Sequence, residues 1–202
     1  MRKVMTTIVC IALMLCIAMP AFAAVSGDEV KTYGTPFLIT NAGQGPGGKM
    51  ARLLVSQTGT LTLDTDYFYD SEPGAEGHGT LDDMDYSCLV VVIGSTDKGL
   101  GASGITIEDE LARLEKMVAH AKEIELPIVA VLLEKDKRSD ISTNANERCI
   151  DAICPNAEWM VVVADGNTDG RFDKLKEEYG IPLTVIDTTL DFTELAKQAF
   201  VK

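Results

Sequence analysis

Short apolar runs alternate with segments of helical periodicity along most of the chain. Three of these runs, 89–93, 128–133 and 159–163, are apolar at nearly every position. Strands that are buried on both faces have this composition, because helices cover both faces of a parallel sheet. The strands predicted on this basis are 37–40, 61–63, 89–93, 128–133, 159–163 and 183–186.

The segments between these runs predict helices at 50–57, 108–125, 144–153, 171–179 and 192–201. The longest one places Leu111, Leu114 and Val118 on one face, and Thr106 with Asp109 forms a capping box at its start. Alternating strands and helices favour a three-layer α/β sandwich with a mostly parallel sheet, Rossmann-like or flavodoxin-like. We expect one domain over 37–201, preceded by a short polar leader at 24–36.

The first 23 residues have the organisation of a secretory signal peptide. Arg2 and Lys3 form a basic n-region, an apolar run follows at 4–19, and the small residues Ala21 and Ala23 precede a cleavage site after Ala23. An uncleaved membrane anchor is the alternative, but the run is short for a span. The sequence therefore predicts an exported protein, periplasmic or extracellular, with no stable membrane insertion after cleavage.

Composition narrows the function classes. The chain of 202 residues is 46% hydrophobic and 24% charged, which excludes wholesale disorder. Its 18 basic and 31 acidic residues give a formal charge of −13, which argues against non-specific nucleic-acid binding. Three cysteines remain after cleavage, Cys88, Cys149 and Cys154, and we predict free thiols, with a disulfide to Cys88 as the alternative.

A glycine-rich loop at 41–50 follows the first predicted strand. Its glycines match G-x-G-x-x-G, and the loop also matches most of a P-loop, but Met50 stands where Ser or Thr would hold magnesium. Such loops let backbone amides approach an anion beside a helix N-terminus. A nucleotide site and a turn that merely packs are the alternatives. The candidate ligand-binding residues here are Asn41, Gly43, Gln44, Gly45 and Lys49.

A second loop, 94–104, repeats the glycine spacing after the third predicted strand. In a flavodoxin-like strand order the two loops are neighbours at the switch point, where α/β proteins bind ligands. We therefore predict one anion-accepting cleft between them, with Lys49 and Lys98 nearby. Its further candidate residues are Ser95, Lys98, Gly99, Gly101, Ser103 and Gly104.

Two later loops add polar groups at the same edge. The run 135–140 contains Arg138, a candidate ligand-binding residue, although a solvated charge run is the simpler interpretation. Asp165, Asn167 and Asp169 match the opening of a calcium loop, but Lys176 occupies the position of the bidentate glutamate. Asp169 capping the following helix is the alternative. Calcium is therefore a weak candidate, and no other cofactor is predicted firmly.

Catalytic constellations are sparse. The two histidines, His78 and His120, cannot be placed beside a serine or a cysteine, so the sequence supports no nucleophilic triad. The first hypothesis is a non-catalytic binding or sensing domain for a small, anionic solute. The alternatives are a metal- or carboxylate-dependent hydrolase and a structural interaction module.

The loops at 43–47 and 98–105, together with Arg138-Ser139-Asp140 and the turn Asp169-Gly170-x-Phe172, carry a family resemblance. The chain resembles, over roughly residues 37 to 200, a family of exported bacterial proteins known only as a domain of unknown function. The resemblance implies a Rossmann-like domain behind a signal peptide and no established activity.

Cleavage after Ala23 is directly testable. We expect protein recovered from the extracytoplasmic fraction to begin at Ala24, because the peptidase reads the small residues before this bond. Intact-mass spectrometry measures this. A soluble cytoplasmic product that retains Met1 would contradict the prediction.

Overall fold

Within the described residues, the sheet has seven strands in the order β1-β7-β6-β5-β4-β2-β3. The computed structural model describes residues 25–58, 66–69, 81 and 85–201. The strands are β1 (Val25–Gly27), β2 (Phe37–Ala42), β3 (Asp66–Tyr69), β4 (Leu89–Ile93), β5 (Ile128–Leu132), β6 (Trp159–Val163) and β7 (Leu183–Ile186). The helices are α1 (Gly47–Ser56), α2 (Asp97–Ala102), α3 (Ile107–Glu123), α4 (Ala145–Ile153), α5 (Arg171–Tyr179) and α6 (Phe192–Ala199).

All neighbouring strands are parallel except β1, which pairs antiparallel with β7. The five parallel strands from β2 to β6 lie in the flavodoxin-like order, and β7 extends the sheet beyond β6. The strand order reverses between β2 and β4, which makes this position the switch point. The predicted three-layer α/β sandwich with a mostly parallel sheet is confirmed.

Consecutive residues of the central strands enter opposite apolar layers. Leu89 and Val91 of β4 pack in the layer that contains α3, α4 and α5, whereas Val90 and Val92 pack in the layer that contains α1 and α6. Side chains of a strand alternate between the faces, so a sheet covered on both faces needs apolar residues at every position. This is why these strands show no polar alternation in the sequence.

The helix boundaries follow local capping chemistry. At the start of α3 the Asp109 amide donates to Thr106 Oγ1 at 3.2 Å, and the Thr106 amide donates to Asp109 Oδ2 at 2.9 Å. This reciprocal arrangement is the predicted capping box. Helix α5 ends at Gly180, which has φ of 69° and closes the helix in the left-handed conformation.

Three elements were not anticipated from the sequence. Val25–Gly27 of the polar leader form the edge strand β1, the segment 97–102 forms α2, and Asp66–Tyr69 form β3. Each is too short to show a period of its own. The predicted strand 61–63 and the predicted signal peptide lie outside the described residues. Within the described ranges, no helix has the length and apolar character needed to cross a membrane.

The three cysteines of the described chain are free and buried, as predicted. Burial raises the pKa of Cys149 and of Cys154 to about 12. Burial also raises the pKa of Cys88. Thiols with such pKa values carry almost no thiolate at neutral pH, so these cysteines act as small core residues.

The packing of α3 gives a test of the core. Leu114 is fully buried, so Leu114→Ala is expected to lower the free energy of unfolding by about 2–5 kcal/mol. The matched control is Leu53→Ala on α1, whose side chain is 59% exposed and whose loss should change stability by less than about 0.5 kcal/mol. Urea unfolding followed by the fluorescence of Trp159, the single tryptophan, measures the free energy of unfolding of both variants. Equal losses would contradict the placement of Leu114 in the core.

Candidate functional site

The two glycine loops meet at the switch point. Gln44 and Ser95 form an antiparallel bridge between them. A Cβ atom at Gly43, which has φ of 104°, would collide with Ser95, and a Cβ atom at Gly45 would collide with the Gly94 carbonyl oxygen. The loops therefore share one edge of the sheet, as the flavodoxin-like order predicts, and their glycines permit this close approach.

A carboxylate of the protein itself lies against the first glycine loop. Glu110 of α3 is fully buried, and its Oε1 accepts hydrogen bonds from the Gly43 amide at 2.7 Å and from Arg113 Nη2 at 2.6 Å. Its Oε2 accepts from Gln44 Nε2 at 3.2 Å and from Arg113 Nε at 3.0 Å. Four donors match the capacity of a carboxylate, so the buried charge is fully satisfied.

The ionised form of Glu110 is favoured in this setting. Burial raises the pKa of Glu110, but the hydrogen bonds and the charge of Arg113, with the donors of the loop, outweigh it and hold the pKa below its ordinary value of 4.5. Arg113 also donates from Nη2 to the Asn41 carbonyl oxygen at 2.6 Å. The ion pair therefore ties α3 to the end of β2.

An amide at the start of α1 also has an acceptor within the chain. Asn41 Oδ1 accepts a hydrogen bond from the Gly48 amide at 2.6 Å, and both groups are buried. With Gly43 bonded to Glu110, two amides of the loop already have partners within the protein. The groups that suggested anion binding in the sequence thus bind a carboxylate and an amide oxygen of the chain.

Ser95 and Asn146 form a second buried polar cluster at this edge of the sheet. The Ser95 amide donates to Asn146 Oδ1 at 3.0 Å, and the Ser95 side chain lies beside Cys149. Ser95 is 1% exposed and Asn146 is fully buried. These contacts anchor the loop after β4 to α4.

The remaining candidates of the glycine loops lie on α1, on α2 or directly after α2. Lys49 and Lys98 are exposed on α1 and α2. The Gly99 amide donates to Thr96 Oγ1 at 3.0 Å at the start of α2, and Ser103 Oγ donates to the Gly99 carbonyl oxygen at 3.1 Å. Gly101 and Gly104 border open space. A role of these residues in solute binding stays a prediction.

Arg138 belongs to a second buried ion network. It donates from Nε to Oε1 of the fully buried Glu147 at 2.9 Å, and Arg171 Nη1 lies 2.5 Å from Glu147 Oε2. The Ser139 amide donates to Glu147 Oε1 at 2.9 Å. Arg138 Nη2 also donates to Asp169 Oδ2 at 2.8 Å. The arginine thus connects the loops after β5 and β6 to α4.

The three residues of the calcium motif point to different partners. Asp165 pairs with Lys135 at 2.7 Å, and Asp169 pairs with Arg138. Asn167 Oδ1 accepts from the Phe172 amide at 2.9 Å, and Asp169 Oδ1 accepts from the Arg171 amide at 3.2 Å. Among the residues that the structure describes, no group of three carboxylate, histidine or cysteine side chains could hold a metal. Through these two contacts, Asp169 and Asn167 accept hydrogen bonds from the first amides of α5.

An open cleft of about 370 Å³ lies at the carboxyl ends of β5, β6 and β7. Its lining combines three apolar side chains with four carboxylates, one lysine and two hydroxyls. The lining residues are Met50, Leu133, Glu134, Lys135, Asp136, Val163, Asp165, Asp187, Thr188 and Thr189. Of the candidates named from the sequence, only Asp165 contributes to this cleft.

The sequence offered a signal for the buried carboxylates but not for the cleft. Glu110 precedes Leu114 by four residues and thus interrupts the apolar face of α3, and Glu147 likewise precedes Ile150 by three residues in α4. A charged residue at an apolar-face position indicates a buried ion pair. Asp187 and Thr188 follow the last strand, and the position of β7 beside β6 in the sheet is not readable from its composition.

Comparison with known families gives one match. The model of a family described as a domain of unknown function (DUF6305) matches residues 34–200. The search of curated proteins and the search of solved structures returned no match.

The Glu110 ion pair gives a test of the switch point. Glu110→Gln is expected to lower the free energy of unfolding at pH 7 by about 3 kcal/mol, because it leaves Arg113 without its charge partner. The matched control is Glu115→Gln, an exposed carboxylate on the same helix. Urea unfolding measures both variants, and equal stabilities would contradict the assignment.

The difference in the free energy of unfolding between wild type and Glu110→Gln should change with pH in a defined direction. Since the folded pKa of Glu110 lies below 4.5, its contribution is complete above about pH 4.5 and is lost as the pH falls through the folded value. The gap between wild type and Glu110→Gln should therefore narrow in acid. A gap that widens below pH 4 would contradict the ionised assignment.

Proposed function

Because the chain belongs to the DUF6305 family, whose description assigns no activity, we propose from its geometry that it is a non-catalytic binding domain for a small solute. The solute binds in the cleft at the carboxyl ends of β5, β6 and β7. One observation carries the proposal: this edge of the parallel sheet holds an open, polar-walled cleft of about 370 Å³. Its size falls within the usual range of small-molecule sites.

The position of the cleft supports a ligand role. In open α/β sheets, ligands bind outside the carboxyl ends of the strands. At the switch point itself, Glu110 and Asn41 accept hydrogen bonds from the Gly43 and Gly48 amides, so a solute anion that bound these amides would compete with groups of the protein. The cleft beside it is open to solvent.

The chemistry of the lining favours binding over catalysis. Thr188 and Thr189 supply its hydroxyls, and each donates its proton within the protein, to Asp191 Oδ2 and to the Leu133 carbonyl oxygen, both at 2.7 Å. Neither hydroxyl has a histidine beside it among the described lining residues. Histidine is the side chain that most often serves as the general base for a hydroxyl nucleophile. Turnover of a bound compound would instead establish the hydrolase alternative.

The place of action proposed with this function is outside the cytoplasm. The support is the signal-like segment 1–23, which lies outside the described residues. An exported binding domain would sample solutes of the periplasm or the medium.

A thermal-shift screen of anions, sugars, nucleotides, amines and divalent metals tests the cleft. A solute present at a hundred times its Kd stabilises the folded state by about 2.7 kcal/mol, which raises Tm measurably. Asp187→Trp places a large ring at the exposed wall of the cleft and is expected to abolish the shift. The matched control Glu177→Trp, on exposed α5 surface, should retain it. A shift that survives Asp187→Trp, or a screen without any hit, would contradict the proposal.

A further inference from the structure

We infer that processing creates a charge pair at the edge of the sheet: cleavage after Ala23 frees an α-ammonium group on Ala24, and this group pairs with the carboxylate of Asp187. Ala24 is the residue directly before β1 and lies just outside the described part of the chain. The pair goes beyond the proposed solute binding and does not depend on it. It gives the predicted cleavage site a consequence for the folded protein.

The register of the edge strand sets residue 24 opposite Asp187. Strand β1 pairs antiparallel with β7, and Val25 lies opposite Ile186. Each step back along β1 is a step forward along β7, so the residue before Val25 faces the residue after Ile186. Facing residues of an antiparallel ladder have Cα atoms about 4.5–5.5 Å apart, which is within reach of an aspartate side chain.

The hydrogen-bond pattern of this ladder directs the nitrogen of residue 24 toward β7. The Asp28 amide donates to the Leu183 carbonyl oxygen at 2.8 Å. Hydrogen-bonded pairs recur at every second position of an antiparallel ladder. The positions two and four residues before Asp28 are 26 and 24, so the nitrogen of residue 24 points at Asp187. An ammonium group donates three hydrogen bonds, which allows it to reach both the carbonyl oxygen and the carboxylate of Asp187.

Strand β1 is fixed in this register from its other end. The Leu183 amide donates to Asp28 Oδ2 at 2.8 Å, and Thr184 Oγ1 donates to the Asp28 carbonyl oxygen at 3.1 Å. Lys176 Nζ of α5 lies 2.6 Å from the same Asp28 Oδ2. Val25 packs against the apolar layer of α1 and α6. A slip by one residue would break these contacts and turn Val25 to the other face of the sheet, so the rest of the strand determines where the new terminus lies.

The carboxylate of Asp187 has no cation of its own. Among the residues that the structure describes, it forms neither an ion pair nor a side-chain hydrogen bond. Of the described residues that line the same cleft, the one lysine is Lys135, which is paired with Asp165 at 2.7 Å. The α-ammonium group of the processed chain is therefore the cation that chain connectivity brings beside Asp187.

Cleavage changes the charge at this position. Before cleavage the nitrogen of Ala24 is an uncharged amide with one proton. A signal peptidase adds one water across the bond between Ala23 and Ala24. The oxygen of the water leaves as part of the carboxylate of segment 1–23, and both of its protons remain on the nitrogen, which becomes an ammonium group. The ordinary pKa of an α-amino group is about 7.7–8.0, so at about pH 6.5 the new terminus is charged.

Three forms of the mature chain separate the charge of the terminus from its position. The first begins at Ala24 with a free amine, the second carries an acetyl group on Ala24, and the third carries four additional glycine and serine residues before Ala24. The acetyl group removes the charge, whereas the extension keeps it and moves it by roughly 13 Å along an extended chain. In urea unfolding at about pH 6.5, both modified forms are expected to have an unfolding constant about two- to fivefold larger, the range of an exposed ion pair.

Asp187→Asn identifies the partner of the terminus. In this variant the three forms should unfold with the same constant, because an amide side chain carries no charge to pair with the ammonium group. The matched control Glu177→Gln removes the same charge from the exposed surface of α5 and should retain the full difference between the forms. In wild type the difference should shrink as salt rises, because Asp187 is exposed and its ion pair is screened.

The pairing is supported by a difference between the forms that is present in wild type and in Glu177→Gln and absent in Asp187→Asn. Equal unfolding of the three wild-type forms would overturn it, and so would a loss in only one of the two modified forms or a difference that persists in Asp187→Asn. Exported protein that begins at a residue other than Ala24 would overturn it as well. Solute binding in the cleft is tested separately by the thermal-shift screen.

Discussion

The buried carboxylate of Glu110 is the constraint on which the carboxyl edge of this sheet depends. An ionised group away from water must find donors for its oxygens, and here four donors come from Gly43, Gln44 and Arg113. Each donor imposes a geometry. The loop after β2 must turn back onto α3, and Arg113 must lie beside the Asn41 carbonyl oxygen. Removal of the carboxylate would leave the switch point with an uncompensated cation and unpaired amides.

This arrangement changes the interpretation of the glycine loop at 41–50. Glycines beside a helix N-terminus favour an anion, and the protein supplies that anion from its own α3. Gly43 and Gly45 are required because the loop after β4 approaches too closely for any Cβ atom. The same local physics can serve ligand binding or, as for the Gly43 and Gly48 amides, hydrogen bonding within the chain. A motif of glycine spacing alone does not distinguish the two.

Much of the fold was readable from the sequence because its signals are local or periodic. The strands 89–93 and 159–163 follow from continuous apolar runs, and the start of α3 from the Thr106–Asp109 capping box. Strand β1 was not readable, since three residues show no period and its pairing with β7 joins distant segments. The cleft was missed for a related reason. Its walls come from the ends of three strands, and nothing in the spacing of Glu134, Asp165 and Asp187 shows that they meet.

The two buried carboxylates divide the carboxyl edge into a closed and an open side. Glu110 and Glu147 lie on α3 and α4, so their networks close the edge on the layer of α3, α4 and α5. The cleft opens on the opposite layer, where Met50 of α1 contributes to its lining. Glu147 also receives the Ser139 amide and Arg138, and Arg138 donates to the Gly166 carbonyl oxygen. The loops after β5 and β6, which carry Glu134, Asp136 and Asp165, are thereby held from the side of α3, α4 and α5. For the proposed binding role, walls that are fixed before a ligand arrives avoid the entropic cost of ordering them on binding.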